Sequence, residues 1–299
     1  MTGEELTRYL EERRLLVDDA LGRYLPAPDD YPKAIHEAVH YSVFAGGKRL
    51  RPILILTAAE AAGGQVEPAL PTAAAVELIH TYSLVHDDLP AMDDDDFRRG
   101  RPTCHKVYGE AMAILVGDAL LTQAFILLSS QPHPLRVGPE ACLRVIHEIA
   151  QAAGSRGMVG GQAVDILQED RQVDLPTLQY LHTHKTGALI RACLRVGGIL
   201  AAAGGEQMEA LTRYGERIGL AFQIVDDILD LEGNLAVLGK QAGSDLRKNK
   251  ATFPALLGLE ESRRRARRLA EEAKQALSAF GDSGATLEAI ADFVVTRRK

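Results

Sequence analysis

The chain has 299 residues, 46% hydrophobic and 25% charged, which is enough apolar material for a large core. A formal net charge of −7 argues against nonspecific nucleic-acid binding. Three cysteines, Cys104, Cys142 and Cys193, lie far apart, so neither a disulfide framework nor a zinc site is indicated and reduced structural thiols are expected.

Residues 1–19 mix acidic, basic and apolar side chains without a continuous apolar run, unlike a signal peptide. The longest apolar stretch, Ala111 to Leu128, is interrupted by Gly117-Asp118 and Thr122-Gln123, which disfavours a membrane span. A cytoplasmic protein with no integral membrane segment is expected. No Pro/Gly/Ser-rich linker divides the chain, so one domain over residues 1–299 is expected.

Apolar residues recur at three and four rather than at two, and aromatic content is 5%, which predicts an all-α protein. An amphipathic helix covers Glu4 to Leu25 and ends at Pro26 and Pro28. A second covers Pro32 to Val43 and stops at Gly46-Gly47, where flexible backbone lets the basic side chains of Lys48-Arg49-Leu50-Arg51 converge. Arg51-Pro52 starts a third helix that runs to Gly63-Gly64. Pro71 starts the helix that delivers an acidic run. Later helices are predicted over Glu110 to Ser129, Pro139 to Gly154 with a continuation through Gly160-Gly161 to Leu167, Leu175 to Ala203, Glu206 to Leu231, Ala255 to Ala279, and Thr286 to Thr296. The basic run at 263–268 has Glu260, Glu261, Glu271 and Glu272 beside it, as a salt-bridged exposed helix face would.

The acidic run is Asp87-Asp88-Leu89-Pro90-Ala91-Met92-Asp93-Asp94-Asp95-Asp96, followed by Phe97-Arg98-Arg99. Clustered carboxylates repel, and a divalent cation supplies the compensating charge. Pro90 breaks the helix, so the chain can bend after Asp88 and bring Asp93 back toward Asp87. A second group, Asp226, Asp227 and Asp230, ends another apolar helix and shares a face with Gln223 one turn below. Two such groups facing each other across a bundle can share several hard cations. An oxygen-rich site without cysteine or paired histidine fits Mg²⁺ or Mn²⁺ better than Zn²⁺, and Mg²⁺ favours a site completed by phosphate oxygens. The spacing is not that of an EF-hand loop. A diphosphate substrate would also explain compact basic clusters in an acidic protein.

Five ordered motifs, Gly46-Gly47-Lys48-Arg49-Leu50-Arg51-Pro52, Asp87-Asp88 through Arg98-Arg99-Gly100, Gly160-Gly161-Gln162 with Asp165, Lys185-Thr186-Gly187, and Gln223 through Asp230, resemble those of the trans-isoprenyl diphosphate synthases, most closely the bacterial farnesyl diphosphate synthases. The resemblance covers essentially the whole chain. It implies a single large helical bundle of the isoprenoid synthase type with a central substrate cavity, a homodimer, and Mg²⁺, three ions, with Mn²⁺ as a substitute. It implies that Asp87, Asp88, Asp93, Asp226, Asp227 and Asp230 hold the metal. Arg98, Lys185, Thr186, Gln223, Lys240 and Lys250 would surround the allylic diphosphate, and Lys48, Arg51, Arg99 and His80 would bind isopentenyl diphosphate. The implied chemistry is ionisation of the allylic diphosphate, attack by the isopentenyl double bond and loss of a proton, with diphosphate as the family's usual base. Loop closure over 240–250 and over the tail Arg297-Arg298-Lys299 would exclude water.

Tyr82 lies five residues before Asp87, about 7.5 Å deeper along the helix, where a ring can floor the pocket. In this family an aromatic residue there, with a first motif lengthened by two residues, usually goes with a fifteen-carbon product. The small residues Ser83 and Ala111 leave geranylgeranyl diphosphate as the alternative product. A terpene cyclase would need no second diphosphate site and usually mixes Asn, Ser and Glu in its second motif; a phosphohydrolase built on His86-Asp87 would need further histidine ligands; a silent partner subunit would be expected to have lost acids from one cluster. Several polar residues have structural explanations. His182 and His184 diverge on a helix and fit polar packing better than metal binding. Gly117-Asp118 fits close helix packing. Gln162 and Asp165 fit either the site or helix packing.

Overall fold

The computed structural model describes residues 1–130, 138–168, 171, 173–232 and 251–297. Helix α1 (Gly3–Tyr24) opens on Thr2, whose hydroxyl takes the Glu5 N–H while the Glu5 carboxylate takes the Thr2 N–H. That reciprocal cap satisfies two donors that the first turn leaves over. After α2 (Lys33–Val43), helix α3 (Leu50–Ala61) starts from Arg49 in the left-handed region at φ 50. Helix α4 (Leu70–Asp87) carries Pro71 in its first turn, where the missing donor costs nothing. The short α5 (Cys104–Tyr108) and the long α6 (Glu110–Ser129) come next.

Among the described residues the predicted helices are present, with three interruptions and, besides the short α5, a small addition. The expected continuous helix after Pro139 is two, α7 (Pro139–Ala153) and α8 (Met158–Leu167). The expected helix over Leu175 to Ala203 is α9 (Leu175–His182), a π-helical turn (Thr183–Gly187) and α10 (Ala188–Leu200). After α11 (Gly205–Glu232), the next expected helix is divided by Gly258 at φ +81 into α12 (Phe253–Leu257) and α13 (Leu259–Ala276). A 3-10 stretch (Leu277–Gly284) leads into α14 (Ala285–Thr296). That addition is a minimal ribbon, β1 (Phe97–Arg98) antiparallel to β2 (Arg101–Pro102), turned by Arg99 at φ 53 and Gly100 at φ 74. Two residues per strand are too few to display alternation, so periodicity could not reveal it.

The core lies around α3, α4 and α10. Pro52 to Ala59 and Thr72 to Ile79 are buried without a break, so these two helices have no solvent face over that length. Helix α4 packs on α3 and α6, α10 packs on α3, α7 and α11, and α11 is covered by α13. Helix α14 closes the chain against α1, α3 and α11. Helix α6 has the length and apolarity of a membrane span, with a mean hydropathy of 2.0, yet Ala113, Val116, Leu120, Ala124 and Leu128 are buried inside the bundle. Its other face exposes Ile114, Leu115 and Ile126.

The basic cluster after Gly47 divides. Arg49 turns inward, 3% exposed, and bonds Asp18 at 2.8 Å, Glu77 at 2.7 Å and the Val43 carbonyl at 2.7 Å. Buried charge is tolerated there because its partners converge from three elements. Lys48 and Arg51 line a cavity that Arg49 also borders.

Candidate active site

Helix α4 ends at Asp87, and the chain then folds back on that end. The N–H of Asp93 donates to the Asp87 carbonyl at 2.8 Å, and that of Asp95 donates to the Asp88 carbonyl at 3.3 Å. The loop thus satisfies carbonyls that the last helical turn leaves open and returns Asp93 to Asp87, as Pro90 suggested. Asp88 is 4% exposed and holds Arg98, whose Nε lies 2.7 Å and 2.9 Å from the two carboxylate oxygens. Asp87 instead lines a cavity of about 340 Å³ with Tyr82, Ser83, Met158, Gln162 and Lys185. Desolvation pushes its carboxyl up to about 6, helped by Asp93 and Asp88 and opposed by Lys185 and Arg98.

The second group has the same division. Asp227 is 3% exposed. Its Oδ2 accepts the Phe253 N–H at 2.9 Å and lies 3.2 Å from His182 Nε2, and its Oδ1 accepts from Gln223 Nε2 at 3.2 Å. Gln223 Oε1 in turn accepts from the Thr186 hydroxyl at 3.0 Å. Asp226 lines a second, basic cavity of about 700 Å³ and takes Arg297 at 2.7 Å. Desolvation raises its carboxyl against the pull of Arg297. Asp230 lies one turn further along α11.

The π-helical turn presents Lys185 and Thr186. Gly161 on α8 approaches its backbone so closely that a Cβ there would overlap Lys185, and Gly219 on α11 lies against Gly187. Single π turns are frequent at functional sites. Lys185 Nζ is held by Asp165 at 2.6 Å. Gln162 also lines the smaller cavity, and its buried Oε1 has no hydrogen-bond partner.

The basic cavity is lined by Lys48, Arg51, His80, Arg99, Asp226 and Arg297. Arg51 Nη1 lies 3.3 Å from His80 Nε2. A guanidinium only donates, so Nε2 accepts and His80 is the neutral Nδ1–H tautomer. Burial, with Arg51 and Arg99 nearby, holds its pKa well below the usual imidazole value. Arg99 donates to the Gly46 carbonyl. Arg51 and His80 line both cavities and so stand where the two meet.

Of the expected site residues, Lys48, Arg51, His80, Tyr82, Ser83, Asp87, Arg99, Lys185, Thr186 and Asp226 line one or both cavities, and Gln223 and Asp227 are bonded behind Thr186; Lys240, Lys250, Arg298 and Lys299 lie outside the described residues. His182, expected to serve polar packing, is bonded to the second acidic group and stacks on Phe253 with ring centroids 5.5 Å apart. Its partner is 45 residues away, so no local pattern could have found it.

Carboxylate and amide oxygens without a thiolate suit a hard divalent cation, and burial, the main cause of the raised carboxyls of Asp87 and Asp226, is a cost that a bound cation would relieve. Asp94, Asp96 and His105 also place ligand atoms within 4.8 Å of one another. Lys106 pairs with Asp96 at 2.7 Å, and His105 Nδ1 lies 3.1 Å from the Thr103 hydroxyl.

A family model described as Polyprenyl synthetase matches residues 32–289. The chain is 47% identical over 297 residues to a geranylgeranyl diphosphate synthase of Cyanophora paradoxa, covering 99% of this chain and 98% of that one. It is 46% identical over 286 residues to the farnesyl diphosphate synthase of Escherichia coli (strain K12), covering 94% and 95%. Among solved structures, an FPP/GFPP synthase from Zymomonas mobilis is similar at TM-score 0.87 with 39% identity, covering 99% of this chain and all of that one. A geranylgeranyl pyrophosphate synthetase from Pyrococcus horikoshii Ot3 gives TM-score 0.88 at 34% identity, covering 98% and 99%.

Proposed function

The chain belongs to the polyprenyl synthetase family and is a trans-prenyl diphosphate synthase of the all-α isoprenoid synthase fold, and from that premise we propose that its product is farnesyl diphosphate, formed from isopentenyl diphosphate and dimethylallyl and then geranyl diphosphate. The supporting observation is Tyr82. Its ring walls the same cavity as Asp87, one and a half helical turns deeper, where a growing chain anchored at the acids would meet it.

In this proposal the allylic diphosphate sits at the mouth of the smaller cavity against Lys185 and Arg98, with Thr186 and Gln223 fixing its surroundings. Asp87, Asp93, Asp226 and Asp230 would hold the Mg²⁺. Asp88 and Asp227, each nearly buried and bonded to the scaffold, position their neighbours rather than ligate. Bound Mg²⁺ would neutralise the charge that develops on departing diphosphate. Isopentenyl diphosphate occupies the basic cavity on Lys48, Arg51 and Arg99. Neutral His80 keeps the Arg51 guanidinium aimed there without adding charge. Because Arg51 and His80 belong to both cavities, the double bond of one substrate can meet C1 of the other at that junction. Apolar walls such as Met92, Met158 and Ile166 keep water from the allylic cation. The exposed Ile114, Leu115 and Ile126 of α6 support a homodimer on that face, and a cytoplasmic location goes with this reading.

Product analysis after incubation with Mg²⁺, isopentenyl diphosphate and dimethylallyl diphosphate, beside a metal-free sample, tests the proposal. Metal-dependent farnesyl diphosphate is expected, and Tyr82→Ala should raise the C20:C15 ratio about tenfold. A parent protein that makes mainly geranylgeranyl diphosphate would replace the product assignment with the alternative and leave the prenyltransferase in place.

A further inference from the structure

Tyr82 does not stand alone against its cavity. His86 lies four residues later on the same face of α4, and the two rings meet edge to face with centroids 5.8 Å apart and planes at 79°. His86 lines the cavity as well. On its other side it reaches α6, where its Nε2 lies 3.1 Å from the Ile114 carbonyl. A carbonyl only accepts, so Nε2 carries the hydrogen and His86 is a donor tied to the backbone of the neighbouring helix.

That tie is possible at one kind of residue only. Gly117, buried on α6, lies so close to the imidazole that a Cβ added there would fall on His86 Nε2, well inside van der Waals contact. The sequence singled out Gly117-Asp118 as a close-packing pair. The close approach turns out to be to the side chain that backs the aromatic wall of the cavity.

Resting on the reading of this cavity as the seat of the growing chain, we infer that Gly117 and His86 are specificity-determining residues, which together set how far the Tyr82 wall stands from the acids. Gly117 sets the depth to which His86 retreats toward α6, and His86 sets the position of the Tyr82 ring. Tyr82 is thus the visible part of a three-residue stop that spans two helices. The two halves of the stop give opposite effects. A methyl group at Gly117 drives the imidazole off α6, toward the cavity and Tyr82, and shortens the space. Truncating His86 removes the backing and opens a path toward α6.

The test is the product distribution of full-length Gly117→Ala and His86→Ala proteins with Mg²⁺, isopentenyl diphosphate and dimethylallyl diphosphate, compared with the parent by chain length. The expected result is that Gly117→Ala raises the ratio of geranyl to farnesyl product about tenfold, while His86→Ala raises the share of products longer than the parent's by a similar factor. Should Gly117→Ala fail to fold, His86→Ala decides alone. Unchanged distributions, or shifts of both variants in the same direction, would overturn the inference. The parent's own main product reports on the farnesyl assignment, and the shift relative to the parent reports on the stop, so the two fail separately.

Discussion

The two acidic groups begin alike and are built differently. Asp87-Asp88 ends α4, and main-chain hydrogen bonds from the returning loop shape the turn beyond it. Asp226-Asp227 lies inside α11, where backbone donors are already used, so the scaffold reaches it through side chains and the distant N–H of Phe253. Yet each pair ends with one acid on a cavity and one turned into the protein. The first members, Asp87 and Asp226, have raised carboxyls, whereas the second members are 4% and 3% exposed and carry charge-assisted or multiple hydrogen bonds. Adjacent residues on a helix point about 100° apart, so a pair of aspartates divides between inside and cavity whatever fixes the helix.

The largest test of that division is the cavity acids. Asp87→Asn should lower kcat about a thousandfold, the scale of losing a main electrostatic contact in the transition state, with thermal unfolding little changed. Asp88→Asn should do the reverse. Loss of the partner of Arg98 should cost about 3 kcal/mol in denaturant unfolding, while Mn²⁺ binding monitored by electron paramagnetic resonance keeps most of its affinity. An Asp88 variant with native stability and no metal binding would end the comparison.

The pH dependence sharpens it. With Asp87 pushed up to about 6, the folded chain takes up a proton before the unfolded chain does, so this group contributes least to stability above pH about 6 and its penalty fades as pH falls toward the ordinary carboxylate value. Metal affinity should move the other way and weaken as pH falls through about 6, because the proton competes for the same oxygen. Calorimetric metal titrations across that window, with proton release measured, check both signs. The smallest effect belongs to the tail: deleting 297–299 removes the Arg297 pair with Asp226 and should raise KM for isopentenyl diphosphate about fivefold, and an unchanged KM would remove the tail from the site.

Much of this was legible in the chain. Helical periodicity, Pro71 in a first turn and the break at Pro90 placed α4 and its acidic loop, because each acts within one or two turns of backbone. The π turn was not legible, since Leu175 to Ala203 keeps a helical pattern while Gly161 and Gly219 arrive from other helices to accommodate the widened turn. Arg49 could not be told from Lys48 and Arg51, because its inward direction depends on Asp18 and Glu77 lying together in space.

The sequence by itself determined an all-α chain, the motifs of its family and the residue types from which a metal-and-diphosphate chemistry is proposed, because those are properties of local spacing and residue type. Only the tertiary structure decided which acid of each pair faces a cavity, that His182 serves Asp227, and that Gly117 backs His86 and through it Tyr82. The physical reason is that a side chain's role depends on which groups share its low-dielectric surroundings, and those groups come from elements far apart in the chain.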